Sequence, residues 1–420
     1  MLSDEQLNEI LFEQREVFLK KPLGVKREVL NEVEERINLP HVLVLTGLRR
    51  AGKSTLLRQI VKKHYLDKDF FYINFEDERL FNFSASEFNR LYESLVRLFG
   101  EKKVFFIDEI QNVANFEIFV RRFYEDGFKF FITGSSANLL SKELGTKLTG
   151  RHLDTIVNPF SFKEFLKLKE FDFSKNSSYL TKQKAFLKKY FEEYLLMGGM
   201  PDYLKYSDPE ILAKIYNDTV LKDIAIRYKI NNVITLKELY SYLVTNFANN
   251  FSYTSLKKFV GIKSVNTIKL YISYFEETYF VKVINKFDYS LKKQLVNNKK
   301  LYVADNGFIW VVSKKVLSDK GWLLENLVFN TIKKEGDIFY YSDKHECDFL
   351  IVKNKQVFSA IQVCYDLNDK NKDREIQGLL EAVKKFKPKN YFILTNSQDD
   401  EILIENKKII VKPVWKWLLE

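Results

Sequence analysis

Residues 41–59 read H-V-L-V-L-T-G-L-R-R-A-G-K-S-T-L-L-R-Q. The apolar run from Val42 to Leu45 is typical of a buried parallel strand. Gly47 then opens the pattern G-x-x-x-x-G-K-[ST], which closes at Gly52, Lys53 and Ser54 and is followed by an apolar helical pattern. A strand, a glycine loop and a helix in this order predict a site for a nucleoside triphosphate.

The chemistry of this loop suits phosphate. Glycines let backbone N–H groups surround an anion, and the new helix directs its positive end at the same place. Lys53 is expected to reach the β- and γ-phosphates, and the Ser54 hydroxyl to bind Mg²⁺. Arg49 and Arg50 could face the nucleotide, a partner or solvent. The predicted nucleotide-binding residues are Gly47, Arg50, Ala51, Gly52, Lys53, Ser54 and Thr55.

A second motif, K-V-F-F-I-D-E-I-Q, spans residues 103–111. Its apolar part predicts a buried strand that ends at Asp108 and Glu109, and ligands of open α/β sheets lie at that end. Asp108 is predicted to hold Mg²⁺ through water or through Ser54. Glu109 is predicted to be the general base that polarises the attacking water. The alternative is that the acidic pair only caps a following helix.

A third apolar strand ends in the polar residues of F-K-F-F-I-T-G-S-S-A, 128–137. If this strand lies between the loop strand and the acidic strand, its terminal polar residue can contact the γ-phosphate or the attacking water. Ser135 is assigned that catalytic role, with Thr133 and Ser136 as near alternatives. The alternative role is to cap a helix that starts at Asn138.

Arg151 lies just before a predicted fifth strand, about Leu153 to Val157. It is a candidate arginine finger, which would neutralise charge as the γ-phosphate leaves, either in cis or across a subunit interface of a homo-oligomer. It could equally be a surface arginine.

Composition limits the class of protein. A chain of 420 residues exceeds one typical core. Its net charge of +11 favours contact with nucleic acid or another anionic surface, although Lys-rich solvated helices would give the same balance. The two cysteines have no disulfide-framework or CxxC pattern, and no apolar run approaches the roughly 20 residues of a membrane span. We therefore expect a cytoplasmic protein without a membrane partner.

Residues 160–233 are predicted to form a helical lid over the nucleotide. The sequence M-G-G-M-P, 197–201, interrupts the helical pattern. Gly198 and Gly199 could be hinge points or only a turn between two helices.

Residues 234–304 have the pattern of a winged helix-turn-helix. Three helical segments precede two β-like runs, about 280–287 and 300–303, with lysines between them. Such folds bind DNA but also bind proteins, and Glu276 and Glu277 weaken the DNA interpretation. The predicted nucleic-acid contacts are Lys257, Lys258, Lys269, Lys292 and Lys293.

Residues 305–420 form an α/β pattern that resembles the PD-(D/E)XK nuclease fold. The resemblance places Glu325 and Asp348 at acidic positions, but the acid-x-lysine positions hold Gln362 and Cys364. A neutral amide and a thiol bind Mg²⁺ poorly, so we expect a degenerate nuclease site that cuts nothing. Lys372 or Arg374 could replace the missing lysine.

Several motifs together resemble the prokaryotic AAA-type ATPases that join a P-loop core to a winged-helix segment and a nuclease-like domain. They are G-L-R-R-A-G-K-S, F-I-D-E-I-Q, I-T-G-S-S-A, L-T-G-R, M-G-G-M-P, L-L-E-N-L-V-F and I-Q-V-C-Y-D, between about residues 40 and 366. The resemblance implies Mg²⁺, ATP and an AAA/ASCE-type parallel sheet, but no particular substrate.

The predicted domains are thus 1–159, 160–233, 234–304 and 305–420. Three functions remain open: an ATPase that acts on or is regulated by DNA, a nucleotide-controlled switch with a protein partner, and an ATP-dependent nuclease.

Overall fold

The computed structural model describes residues 2–65, 69–136, 148, 150–173, 180–313, 320–404 and 407–420. The chain divides into two compact units. The first extends to Asn158 and includes Glu277–Tyr279, and the second contains Pro159–Glu276 and Phe280–Glu420. The three later predicted domains therefore lie in one unit. Among the described helices, none is long and apolar enough to cross a membrane.

The described part of the first unit contains a five-stranded parallel sheet in the order β2-β3-β4-β1-β5. The strand β4 lies between β1, which precedes the glycine loop, and β3, which ends in the acidic pair. That order is the one on which the assignment of polar residues after β4 depended. The strands are Val42–Thr46 (β1), Phe71–Asn74 (β2), Val104–Asp108 (β3), Lys129–Gly134 (β4) and His152–Ile156 (β5).

Helices cover this sheet because its strands are apolar on both faces. Phe105 stacks on Phe130 on one face and Phe106 on Phe131 on the other, with ring centroids 5.1 and 4.5 Å apart. The helix that was expected from Asn138 lies outside the described residues. The described α-helices are Asp4–Lys20 (α1), Val29–Arg36 (α2), Lys53–His64 (α3), Phe88–Phe99 (α4) and Phe116–Glu125 (α5), with 3-10 turns at Glu78–Leu80, Ala85–Glu87 and Ile110–Asn112.

The second unit begins with helices that pack on one another. The helix α9 packs against α14, and α7 packs against both α14 and α15. The described helices are Phe162–Leu168 (α6), Thr181–Met197 (α7), Pro201–Tyr206 (α8), Pro209–Asp218 (α9), Val233–Thr245 (α10), Tyr253–Val260 (α11), Val265–Glu277 (α12), Leu291–Val296 (α13), Asn306–Val312 (α14), Lys320–Ile332 (α15), Lys372–Phe386 (α16) and Val414–Trp417 (α17), and a π-helical segment, Thr219–Ile226, follows α9.

An eight-stranded mixed sheet completes this unit, in the order β12-β13-β11-β10-β9-β8-β6-β7. Its strands are Val281–Lys286 (β6), Lys299–Val303 (β7), Asp337–Ser342 (β8), Glu346–Lys353 (β9), Gln356–Val363 (β10), Asn390–Thr395 (β11), Asp400–Ile404 (β12) and Lys407–Pro413 (β13).

The strands β6 and β7 are the two β-like runs that were predicted to form a wing. They pair antiparallel after three helices, in the predicted order. However, β6 also pairs with β8, so this hairpin is one edge of the larger sheet. The boundary predicted between residues 304 and 305 therefore runs through a continuous sheet, because local patterns of helix and strand do not reveal which sheet a strand joins.

Gly198 and Gly199 form the turn between α7 and α8, and a buried aspartate holds that turn. Asp305 accepts hydrogen bonds from the Gly199 N–H at 2.5 Å and the Gly307 N–H at 2.9 Å. A Cβ atom on Gly198 would lie 2.0 Å from Asp305 Oδ1. Of the two expectations for these glycines, the geometry favours a fixed turn over a hinge.

Candidate functional site

The glycine loop connects β1 to α3 and depends on two glycines. Gly47 and Gly52 have φ angles of 138° and 99°, a backbone region that other residues rarely adopt. A Cβ atom on Gly47 would lie 2.3 Å from the Val157 carbonyl oxygen. The loop can therefore follow this path only with glycine at position 47, and α3 then begins at Lys53.

Lys53 is buried inside the loop, with 4% of its surface exposed. Its Nζ donates to the carbonyl oxygens of Gly47 and Leu48, both at 3.2 Å, and lies 3.6 Å from Glu109 Oε1. The predicted phosphate-binding cation and the predicted general base thus form an ion pair.

The end of β3 brings the two predicted Mg²⁺ ligands together. The side chains of Ser54 and Asp108 are hydrogen-bonded, and the Thr133 hydroxyl donates to Asp108 Oδ1. Burial raises the pKa of Asp108 above its ordinary value, and the neighbouring Glu109 carboxylate raises it further, whereas the two hydroxyl contacts lower it.

Glu109 is fixed by its backbone and by two neighbours. Its φ angle of 51° is uncommon for a residue with a side chain. Its N–H donates to Thr133 Oγ1 at 2.9 Å, and its Oε2 accepts from Gln111 Nε2 at 2.5 Å. These contacts orient the carboxylate at the carboxyl end of the sheet.

Of the polar residues after β4, Thr133 makes the direct contacts. It touches both Asp108 and Glu109, whereas the described contact that links Ser135 to this site is with Gln111 Nε2, at 3.4 Å. The structure thus brings the predicted alternative, Thr133, closer to the acidic pair than the residue first assigned, Ser135.

The residues present fit a triphosphate and Mg²⁺. Gln111 Oε1 and Ser136 Oγ are buried and have no hydrogen-bond partner among the residues that the structure describes. A cavity of 350 Å³ borders Ser54 and Asp108. A serine hydroxyl and a carboxylate are hard oxygen ligands of the kind Mg²⁺ prefers, and Lys53 supplies the cation for phosphate.

Comparison with known proteins agrees with this geometry. Residues 40–166 match a family model described as an AAA domain, AAA_14. Uncharacterized protein MJ1544 of Methanocaldococcus jannaschii is 39% identical, over 98% of this chain and 95% of the relative. The chain belongs to this AAA-type P-loop family. The resemblance seen in the sequence is confirmed for the ATPase core.

Other similarities of this AAA-type protein are less informative. An uncharacterized protein of Haemophilus influenzae is 27% identical over 96% of this chain and all of the relative. Residues 188–316 match a domain of unknown function, DUF8612. AMPPCP-bound DnaA from Aquifex aeolicus is 16% identical, and the match covers 60% of this chain and 87% of the DnaA chain. Its TM-score of 0.27 is too low to support a conclusion about this chain.

Arg151 lies at the opposite end of the AAA sheet from the glycine loop. Its carbonyl oxygen accepts from the N–H of Val42, the first residue of β1, and its guanidinium pairs with Glu125 at 2.9 Å. A five-residue strand spans roughly 16 Å, so Arg151 does not reach the phosphate site of its own chain. The predicted role in cis is therefore not supported, and the finger hypothesis is limited to a neighbouring molecule.

Arg27 is a residue of this site that the sequence did not indicate. Its guanidinium is buried, with Nη1 donating to the Ala51 carbonyl at 2.7 Å and Nη2 to the Asn158 carbonyl at 2.6 Å. Its own N–H donates to Gln59 Oε1 at 3.1 Å. Arg27 thus ties the glycine loop to α3 and to the segment after β5. A lone arginine before a helix carries no motif, so only the fold reveals this role.

Four of the five lysines that were predicted to contact nucleic acid are exposed to solvent. Lys258, Lys269, Lys292 and Lys293 are exposed and Lys257 is half-buried. Lys299 and Lys300, the first two residues of β7 in the same hairpin, are both buried. The surface of the hairpin is therefore less basic than its sequence indicates.

The four residues of the predicted degenerate nuclease site line one cavity of 620 Å³ in the second unit. Glu325, Asp348, Gln362 and Cys364 lie on α15, β9, the end of β10 and the residue after it. The structure thus brings these four residues together at one cavity. Burial raises the pKa of the Cys364 thiol to about 12, so the thiol stays neutral.

The two residues that could replace the missing lysine, Lys372 and Arg374, are placed differently by the structure. Arg374 borders the cavity but pairs with Glu375 at 2.5 Å, and Lys372 is not among the lining residues. Instead, Lys300 reaches the carboxylates from β7. Within the described ranges, no group of three or more His, Cys, Asp or Glu side chains could hold a metal ion.

Proposed function

We propose that this protein binds and hydrolyses ATP with Mg²⁺ at the carboxyl end of β1, β3 and β4. The observation that carries the proposal is the convergence there of a glycine loop, a buried lysine and the acidic pair. Bound Mg²⁺ would withdraw charge from the phosphate oxygens and orient them.

The residues of the chain then have separate tasks. The N–H groups of the loop and of the first turn of α3 bind the phosphates. Lys53 exchanges the carbonyl oxygens of Gly47 and Leu48 for phosphate oxygens. Because Lys53 also pairs with Glu109 at 3.6 Å, this exchange leaves the Glu109 carboxylate free to accept a proton from the attacking water.

Steady-state ATP turnover by three proteins tests the proposal. Lys53→Ala should weaken nucleotide binding and abolish turnover, and Glu109→Gln should retain ATP without hydrolysing it. Glu101→Gln is the matched control, because Glu101 is exposed and lies between α4 and β3, at the opposite end of β3 from the acidic pair. Normal turnover by Glu109→Gln would refute the assignment of the base.

We further propose that the helix-and-hairpin segment 234–304 contacts nucleic acid, as a winged helix does. The exposed lysines Lys258, Lys269, Lys292 and Lys293 and the net charge of +11 support this function. ATP turnover should rise with single-stranded, duplex or branched DNA, and binding should fall steeply as salt is added.

A protein partner is the second candidate for the same segment. Four apolar residues beside the hairpin lysines are 61–78% exposed, namely Tyr289, Leu291, Leu295 and Val296. Exposed apolar clusters of this kind mark protein contacts more often than nucleic-acid contacts. If the protein binds no DNA even at low salt, this candidate takes first place.

For the cavity of the second unit we propose a nuclease-like site that cleaves nothing. The neutral Gln362 and Cys364 side chains support this view, because phosphodiester cleavage needs a firmly held divalent ion. Incubation with nicked, single-stranded and branched DNA in Mg²⁺ or Mn²⁺ tests it. Cleavage that disappears in Asp348→Ala would contradict it and favour the ATP-dependent nuclease.

A further inference from the structure

A buried lysine contacts three carboxylates that line the cavity of the second unit. Lys300 is 2% exposed. Its Nζ lies 2.7 Å from Glu346 Oε1, 3.1 Å from Glu325 Oε1 and 3.6 Å from Asp348 Oδ1. Three carboxylates therefore converge on one ammonium group, so the protein itself supplies the positive charge among them.

The pleat of β7 accounts for this placement. Successive strand residues point to opposite faces, so Lys300 and Tyr302 share one face and Lys299 lies on the other. The Tyr302 hydroxyl donates to Glu325 Oε1 at 2.6 Å, on the carboxylate that Lys300 also contacts. Lys299 Nζ instead donates to carbonyl oxygens at the end of α13, those of Gln294 at 2.6 Å and Asn297 at 2.7 Å.

The carboxylates have further donors besides Lys300. Asp348 Oδ2 accepts from the Val363 N–H at 2.9 Å. Glu346 Oε2 accepts from Asn250 Nδ2 at 2.9 Å. Each carboxylate oxygen in these contacts is thus already engaged by a group of the protein.

Gln362 stands at the position that carries an acid in the nuclease pattern, and its side-chain amide is hydrogen-bonded within the protein. Gln362 Oε1 accepts from the Asp348 N–H at 3.2 Å, and Gln362 Nε2 donates to Glu375 Oε2 at 2.6 Å. The other oxygen of Glu375 is held by Arg374. The amide thus holds the Asp348 backbone and the Glu375 carboxylate, and both of its polar groups are engaged within the protein.

The surroundings of Lys300 favour its protonated, positively charged form. Burial alone would lower its pKa, but the carboxylates of Glu325, Asp348 and Glu346 together raise it above the ordinary value. Burial and the neighbouring Glu325 carboxylate raise the pKa of Asp348 well above its ordinary value, and the Lys300 charge opposes this shift and so stabilises the charged cluster.

We propose that the Lys300 ammonium group permanently occupies the cation position among the carboxylates of Glu325, Glu346 and Asp348, so that these carboxylates bind no divalent metal ion. Lys300 acts here as a counter-ion and not as a catalytic lysine. A catalytic lysine directs its N–H groups at an attacking water while the acids hold the metal. Here the Nζ itself lies among the acids.

Mn²⁺ binding to the full-length protein without nucleotide tests this assignment, with the bound ions counted by electron paramagnetic resonance. Wild type and Asp348→Asn should bind the same number of Mn²⁺ ions, because Asp348 holds none. Any ion bound near Ser54 and Asp108 is common to both proteins and cancels in the comparison.

A second set of variants tests the same point by gain of binding. Lys300→Met removes the charge at nearly the same length, and it should gain one Mn²⁺ ion that is lost again in the double variant with Asp348→Asn. Lys293→Met is the matched control, since Lys293 is an exposed lysine of the same hairpin segment, and it should gain none.

Two results would overturn the proposal. One is an ion bound by wild type and lost in Asp348→Asn, and the other is a folded Lys300→Met protein that gains no Mn²⁺. If Lys300→Met does not fold, the comparison of wild type with Asp348→Asn still decides the question.

Discussion

Both candidate sites of this protein place a buried lysine beside carboxylates, but they hold that lysine differently. Lys53 is held by two backbone carbonyls and lies 3.6 Å from its one carboxylate partner, Glu109. Lys300 is surrounded by three carboxylates at 2.7–3.6 Å. A phosphate group can replace neutral carbonyls around a lysine far more easily than it can replace three negative charges.

The backbone around each lysine adds to this difference. Lys53 is the first residue of α3, and the first N–H groups of an α-helix have no acceptor within the helix and so can bind an anion. Lys300 lies inside β7, whose N–H and C=O groups pair with β6. The number of nearby carboxylates and the secondary structure thus decide whether a buried lysine can bind phosphate.

The largest expected effect is on ATP turnover, which should depend on the acidic pair at β3 and not on the carboxylates of the second unit. Glu109→Gln should lower ATP turnover by about 10²- to 10⁴-fold, the usual cost of losing a placed base. Asp348→Asn should leave turnover of ATP unchanged, since it belongs to the other cavity. Hydrolysis rates at saturating ATP measure both. Equal losses in the two variants would remove the distinction between the sites.

The next prediction concerns stability. Lys300→Met should destabilise the second unit by about 3–5 kcal/mol, because removing one partner leaves buried charges uncompensated. Lys293→Met, at an exposed position, should change stability by less than about 0.5 kcal/mol. Urea unfolding monitored by circular dichroism measures the difference. A small effect of Lys300→Met would mean that the cluster does not depend on its cation.

Arg27→Met should disturb the glycine loop and leave the carboxylate cavity intact. Each buried carbonyl that loses its donor, at Ala51 and Asn158, costs about 1–3 kcal/mol. We expect a higher KM for ATP with a smaller change in kcat, because Arg27 supports the loop and contacts no reacting atom. Lys26→Met is the control at the adjacent exposed position, and an identical KM in both variants would contradict the prediction.

Replacing Lys292 and Lys293 by alanine should weaken nucleic-acid binding for all sequences alike. The logarithmic salt slope should flatten by about one unit for each phosphate that these lysines neutralise. The exposed lysines Lys387 and Lys389, which precede β11, provide the control pair. Binding measured by fluorescence anisotropy at several salt concentrations gives the slope, and equal slopes in the two double variants would argue against binding at the hairpin.

The last prediction concerns Asp305, a buried carboxylate that accepts hydrogen bonds from two backbone N–H groups. Burial raises the pKa of Asp305 to about 7 from its ordinary 3.8. Between these values the folded state binds a proton that the unfolded state does not, so this group's stabilisation is lost as pH rises toward 7.

Asp305→Asn should therefore show a weaker decline in stability between pH 4 and about 7 than wild type. Urea midpoints at pH 5 and pH 8 measure the decline, and Asp400→Asn, at an exposed position, serves as the control. Parallel pH profiles of Asp305→Asn and wild type would contradict this prediction.

The sequence predicted the features that depend on neighbouring residues. The glycine loop and the acidic pair follow from short motifs, because a loop between a strand and a helix has few possible geometries. The position of β4 between their strands was only assumed, and the structure shows it. The convergence of Glu325 and Asp348 followed from a resemblance in fold.

The features that sequence reasoning missed depend on distant contacts. Arg27 meets Asn158 across 131 positions, and Lys300 meets Asp348 from another strand. Arg151 was misplaced because its position in the chain does not show at which end of the sheet it lies. Thr133 and Ser135 are two positions apart, so only the structure showed which of them contacts the acidic pair.

The inclusion of the β6–β7 hairpin in the large sheet has a consequence for dissecting the protein into fragments. A fragment that begins at residue 305 would lack two strands, so the edge of β8 would be open to aggregation. It would also lack Lys300 and so keep its acidic cluster without the cation. A fragment that ends at residue 304 would carry a basic, partly apolar hairpin with no sheet to join. Biochemical work on the second unit therefore needs the hairpin and the C-terminal strands on one polypeptide.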